Sequence, residues 1–149
     1  MKAMILAAGY GKRMMPLTEN LPKPLLKIGN KSLIERNINA LLAAGFSDII
    51  INVSYLGNMI KKHVLEIFPN ANISFSEEEI PLGTGGGVLN AIGLLGKDPF
   101  MLINADIYHQ INLKDIKQDV GIAHLVGVEN PNHNVDGDFS LNADVVSIS

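Results

Sequence analysis

The sequence predicts an α/β fold, a mostly parallel sheet with helices on both faces. Two observations carry that prediction. Short, almost wholly apolar runs alternate with longer segments in which apolar residues recur every three or four positions, the pattern of buried strands separated by helices. The first apolar run also ends on a glycine-rich loop, the usual place for a ligand in such sheets, beyond the carboxyl ends of the strands.

Lys2–Ala8 reads as a buried strand closed by Gly9. Residues 9–30 form a long polar loop with three prolines, Pro16, Pro22 and Pro24, of a length that in compact domains usually serves function. A helix is predicted over Lys31–Ala44, with Leu33, Ile34, Ile38, Leu41 and Leu42 at helical spacing and Gly45 as its stop. Asp48–Val53 is a second buried strand, Leu56–Phe68 a second amphipathic helix and Asn72–Ser76 a short strand. Pro81–Gly87 reads as a glycine-rich turn and Val88–Leu95 as a third helix. Pro99–Asn104 is an apolar strand ending at Asp106, and Ile122–Val128 a further strand. After a loop at residues 130–137, Asp138–Leu141 and Val145–Ile148 read as an antiparallel hairpin.

At 149 residues and 47% hydrophobic composition, the chain is expected to form a single domain over 1–149. Its net charge of −3 argues against non-specific nucleic-acid binding. The charge is uneven. Lys12, Arg13, Lys23, Lys27 and Lys31 face only Glu19 in the early loop, whereas acidic residues dominate from Asp98 onward, so the two regions can frame an anionic ligand and a cation. With no cysteine, disulfides, thiolate catalysis and cysteine metal sites are excluded. No run approaches a membrane span and the apolar start is too short for a signal peptide, so the expectation is a soluble, cytoplasmic protein with no membrane partner.

Gly9-Tyr10-Gly11 begins like a dinucleotide fingerprint, but Met14 stands at the third glycine and the second strand ends Ile51-Asn52-Val53 without the ribose-binding acid. A nicotinamide oxidoreductase is therefore disfavoured, and no Walker A motif is present. The glycines let backbone N–H groups approach phosphate oxygens, Arg13 can hold them bidentately, and Lys23 is restricted between two prolines. A lone Gly-x-Gly is more often an ordinary surface turn. In combination, Leu6-Ala7-Ala8-Gly9-x-Gly11-x-Arg13-Met14-x-Pro16-Leu17-Thr18 with Pro22-Lys23-Pro24-Leu25 resembles the signature of the sugar-1-phosphate nucleotidyltransferases.

That resemblance implies a Rossmann-like, three-layer α/β/α domain (GT-A-like) with a mostly parallel mixed sheet. It implies nucleotide binding by Leu6, Ala8, Gly9, Gly11, Lys12, Arg13 and Lys23, and base recognition at the second glycine run by Gly83, Thr84 and Gly85. One of the preceding carboxylates Glu77, Glu78 and Glu79 is expected to reach the base; the sequence does not decide which, and Glu78 is taken as the candidate. The triple glycine Gly85-Gly86-Gly87 and the stretch Asn130-Pro131-x-His133-Asn134-x-x-Gly137-Asp138-Phe139 resemble the branch that acts on N-acetylmuramic acid-1-phosphate with UTP. Mannose-1-phosphate guanylyltransferases more often carry an alanine in that glycine run. Asp106, at a strand tip, is the expected ligand of Mg²⁺, with Ala105 before it where the family usually has glycine.

The implied reaction is transfer of UMP from UTP to a sugar-1-phosphate with release of pyrophosphate, with Arg13, Lys23 and Asp106 as the catalytic set. The alternative substrate pair is GTP and mannose-1-phosphate. Family members usually extend further, with a second metal-binding aspartate for which Asp138 and Asp144 are weak substitutes. The competing expectation is therefore a truncated nucleotide-binding module without turnover, and an unfinished sheet edge would favour a homodimer.

Overall fold

The structure, a computed structural model, describes residues 1–116, 121–132, 134–142 and 145–148. His133 and Asp144, singled out above, lie outside the described residues. The chain divides into two compact units, Met1–Gln118 and Asp119–Ser149.

The first unit is built on four parallel strands: β1 (Lys2–Leu6), β4 (Asp48–Val53), β5 (Asn72–Glu77) and β6 (Phe100–Asn104), in the order β5-β4-β1-β6. Between β1 and β4 lie a two-stranded ribbon, β2 (Lys27–Ile28) with β3 (Lys31–Ser32), and helix α1 (Leu33–Ala43). Helix α2 (Gly57–Ile67) links β4 to β5, and helices α3 (Gly83–Asn90) and α4 (Ile92–Leu95) link β5 to β6.

The period-two alternation of the central strands divides the core. Ala3 and Ile5 of β1, with Ile49, Ile51 and Val53 of β4, pack on Ile34, Ile38 and Leu41 of α1 and Ile60 and Val64 of α2. Met4 and Ile50, the alternate positions, pack on Ala91 and Leu95 at the α3–α4 end. Helices therefore cover both faces of a parallel sheet, the α/β layering the sequence predicts. Covering on both sides is why β1 and β4 carry consecutive apolar residues, Ala3–Leu6 and Ile49–Ile51, rather than alternating ones. The sheet is wholly parallel among the described residues; the antiparallel pairs form separate ribbons.

Several boundaries differ from expectation, and one expected strand is absent. The first helix starts at Leu33 because Ser32 caps it: its hydroxyl accepts from the Glu35 N–H while the Glu35 carboxylate accepts from the Ser32 N–H, a reciprocal capping box. The glycine run at 83–87 is not a turn before a helix but the helix itself, since α3 begins at Gly83. One of these glycines is required sterically, as a Cβ on Gly86 would stand 2.7 Å from the Cβ of Leu82. Residues 122–128 form no strand; Ile122, Leu125, Val126 and Val128 are exposed, and no described strand pairs with them, so apolar composition alone yields no ladder.

The second unit contains the expected hairpin, β7 (Phe139–Asn142) and β8 (Val145–Ile148), paired in antiparallel register from Phe139 opposite Ile148 to Asn142 opposite Val145. No helix among the described residues is long and apolar enough to cross a membrane.

Candidate active site

The strand order sets where a ligand can enter. From β1 the chain moves outward to β4 and β5, then returns past β1 to β6, so the order reverses between β1 and β6. At such a switch point the loops leave the two strands on opposite faces and open a crevice at their carboxyl ends. A cleft of about 360 Å³ lies there, within the range of small-molecule sites.

One wall is the loop after β1. Leu6, Ala7, Ala8, Gly9 and Gly11 line it, followed by Lys12, Arg13 and Met14. The two glycines have different physical reasons. Gly11 has φ +65, and a Cβ there would crowd the side chain of Thr18 at 3.1 Å. Thr18, fully buried, donates from Oγ1 to the Gly11 carbonyl at 2.9 Å and fixes the turn. A short 3₁₀ turn, Lys12–Met14, follows, closed by the Met14 N–H on the Gly11 carbonyl. A Cβ on Gly9 would meet nothing within 4 Å, so its bare backbone faces open space. Lys12 lies 5.1 Å from the Tyr10 ring centroid, and neither Lys12 nor Arg13 forms an ion pair with another described residue.

Lys23 enters on a second 3₁₀ turn, Lys23–Leu25, between the extended Pro22 and the buried Pro24 and Leu25. This anchoring carries its ammonium to 2.5 Å from the Asp106 carboxylate, across 83 positions of sequence. Both side chains remain about one-third exposed or less, at 27% and 34%. Asp106 follows β6, whose Asn104 also lines the cleft. Asn37, on the apolar face of α1, donates to the carbonyls of Ala105 and Ile107 at 3.3 and 3.1 Å, clasping the backbone on either side of Asp106.

Gly83 and Thr84, at the start of α3, complete the cleft. The structure thus gathers Leu6, Ala8, Gly9, Gly11, Lys12, Arg13, Lys23, Gly83, Thr84 and Asp106 around one cavity. Gly85 lies on the next residue of α3 without lining the cavity. Glu78 is buried nearby, accepting from the Asn52 amide and the Leu82 N–H, and borders a neighbouring pocket instead. Glu77 pairs with Lys61 outside the cleft. Among the polar side chains that line or brace the cleft, Thr18, Asn37, Asn52 and Asn104 carried no site role in the sequence. Thr18 stood within the early signature, and Asn37 and Asn52 were visible as polar breaks in apolar patterns.

A glycine-rich, cationic loop facing a strand-end carboxylate across a Rossmann-like switch point combines bare backbone N–H groups, cations and a hard oxygen donor, a chemistry that can receive phosphate oxygens. The chain belongs to the nucleotidyl transferase family, which residues 2–123 match. It is 44% identical to N-acetylmuramate alpha-1-phosphate uridylyltransferase of Neisseria meningitidis serogroup B, over 95% of this chain and 64% of that protein. It is 43% identical to mannose-1-phosphate guanyltransferase of Schizosaccharomyces pombe, over 78% of this chain and 33% of that protein. Among solved structures it resembles HddC from Yersinia pseudotuberculosis complexed with GMP-PN, with 33% identity and a TM-score of 0.68, covering 76% of this chain and 51% of HddC. The chain thus spans less than two-thirds of the length of these relatives.

Proposed function

We propose that the chain carries the nucleotide half of a sugar-1-phosphate nucleotidyltransferase that transfers UMP from UTP to a sugar-1-phosphate. The observation that supports this best is the convergence of Lys23 and Asp106 at 2.5 Å beside the Gly9–Gly11 loop, which places cation, carboxylate and bare backbone in one cleft. An oxygen of the sugar-1-phosphate attacks the α-phosphorus, the bond from that phosphorus to the α,β-bridging oxygen breaks, and pyrophosphate leaves. The nucleophile is already anionic near neutral pH, so alignment and charge neutralisation carry the catalysis rather than proton abstraction. Gly9 and Gly11, with Leu6, Ala8 and Lys12, cradle the phosphates. Arg13 stabilises the departing pyrophosphate, and Lys23 contacts the α-phosphate or the incoming phosphate. Gly83, Thr84 and Gly85 take the base, with Glu78 behind them.

The donor set fits Mg²⁺. Asp106 offers a hard, partly exposed carboxylate inside the cleft, and Mg²⁺ is commonly held by one or two carboxylates with substrate phosphates and water. Among the described residues no group of three or more acidic or histidine side chains is poised as a protein cage. When bound at Asp106 the ion supplies charge neutralisation to the phosphates.

Uridine is favoured by the 44% identity to the uridylyltransferase and by the unbroken Gly85–Gly87 run. A second reading, GTP with mannose-1-phosphate, is supported by the guanyltransferase relative and by the structural likeness to HddC with GMP-PN. Pyrophosphate release, measured with Mg²⁺ for each triphosphate paired with N-acetylmuramic acid-1-phosphate or mannose-1-phosphate, separates them. Turnover with UTP and the muramic acid phosphate is the expected result. Calorimetric nucleotide binding without release from any pair would instead establish a binding module.

A further inference from the structure

Asn52 has no part in the transfer chemistry, yet it is 2% exposed at the tip of β4 and borders the cleft. Its Oδ1 accepts from the Ala7 N–H at 2.7 Å, and its Nδ2 donates to Glu78 Oε1 at 2.7 Å. Glu78, 6% exposed, accepts from the Leu82 N–H on its other oxygen at 2.8 Å. The donors and acceptors admit one amide orientation: the backbone N–H requires an oxygen and the carboxylate requires an N–H. The result is a continuous buried chain from Ala7, in the phosphate loop, to Leu82, immediately before the start of α3. Gly87 makes room for it, since a Cβ there would stand 2.6 Å from Asn52 Nδ2 and 2.9 Å from Glu78 Oε1.

We propose that Asn52 is a positioning residue: through Glu78 it sets the spacing between the phosphate loop and the first turn of α3, so that one nucleotide engages both ends of the cleft together. The inference rests on the nucleotide reading of the cleft. Ala7 lines the phosphate side and Gly83 and Thr84 the opposite side. A ligand spanning both gains from their fixed separation, because the second contact becomes intramolecular; a ligand touching only the phosphate loop gains nothing from it.

The test compares Kd for UTP, GTP and inorganic tripolyphosphate in wild type, Asn52→Ala, Asn52→Asp, Glu78→Gln and the double variant Asn52→Asp/Glu78→Gln. In Asn52→Ala, the preference for the better nucleotide over tripolyphosphate is expected to fall by about tenfold while tripolyphosphate affinity stays nearly constant. Asn52→Asp sets two carboxylates face to face, and Glu78→Gln turns an amide N–H toward a donor. Together they restore the chain with its middle bond reversed. The carboxylate introduced at position 52 accepts from the Ala7 N–H and from the amide introduced at position 78, whose oxygen in turn accepts from the Leu82 N–H. The double variant should therefore recover most of the preference lost by each single one. If Asn52→Ala does not fold, as read by circular dichroism, the reversal pair carries the comparison. A preference unchanged in folded Asn52→Ala, or a double variant no better than the product of the singles, overturns the inference alone. A wild-type chain that binds neither nucleotide more tightly than tripolyphosphate overturns it together with the nucleotide reading.

Discussion

Gly85 and Gly87 stand two positions apart in α3 and answer to different constraints. A Cβ at Gly85 meets nothing within 4 Å, whereas at Gly87 it collides with the Asn52–Glu78 pair. Gly85→Ala is therefore expected to raise stability by about 0.5–1 kcal/mol through helix propensity, and Gly87→Ala to lower it by roughly 1–3 kcal/mol through overpacking. Urea melts that rank the two variants the other way would contradict this. Arg13 is exposed and unpaired among the described residues, so Arg13→Ala should leave the melting temperature unchanged while pyrophosphate release falls by roughly a hundredfold, the scale of losing one charge-stabilising donor. Full activity in that variant sinks its assigned role. Sequence spacing was enough to single out Gly9, Gly11, Arg13 and Lys23. Gly87 could be noticed but not explained, because the atoms it makes room for come from β4 and from the segment just after β5.

Helix α1 shows how an element's sequence both encodes its packing and conceals a second duty. Its apolar stripe was legible from Leu33, Ile34, Ile38 and Leu41, all buried as the spacing predicts. Its start was not, because the capping pair of Ser32 and Glu35 competes with the apolar pattern as a boundary signal. Ser32→Ala should destabilise the protein by about 1 kcal/mol, read as a lower denaturation midpoint at unchanged slope. The hydroxyl also contacts His63 Nε2 at 3.0 Å, tying α1 to α2, so a loss well below that value would show that the cap is not used. Asn37 is the polar intruder on the stripe. Asn37→Ala removes its bonds to the carbonyls around Asp106 and is expected to lose roughly 1–3 kcal/mol of stability. Its effect on Mg²⁺-dependent turnover should exceed its effect on nucleotide affinity, and equal effects on both would deny it a role in placing Asp106.

At the scale of the whole first unit, the cleft joins residues 6–14, Lys23, Gly83, Thr84 and Asp106, which only the β5-β4-β1-β6 order brings together. A nucleotide bridging these segments stabilises the folded state by mass action. UTP at about a hundred times its Kd should add about 2.7 kcal/mol, seen as a rise in melting temperature that grows with ligand concentration. A melting temperature indifferent to both UTP and GTP would count against the cleft as a nucleotide site. The sequence by itself determined the layered α/β class, four of the main strands and the segments bearing cationic and glycine-rich chemistry, because periodicity, glycine placement and charge are local properties. It over-read residues 122–128, where apolar composition without a pairing strand forms no ladder. Only the tertiary structure decided that Lys23 meets Asp106, that Asn37 clasps the Asp106 backbone and that Asn52, which looked like a missing acid, links the first glycine-rich loop, through Glu78, to the start of the glycine-rich helix α3. Those pairings depend on which strand ends become neighbours, and hydrogen bonds between residues distant in the chain leave no spacing in the sequence to read.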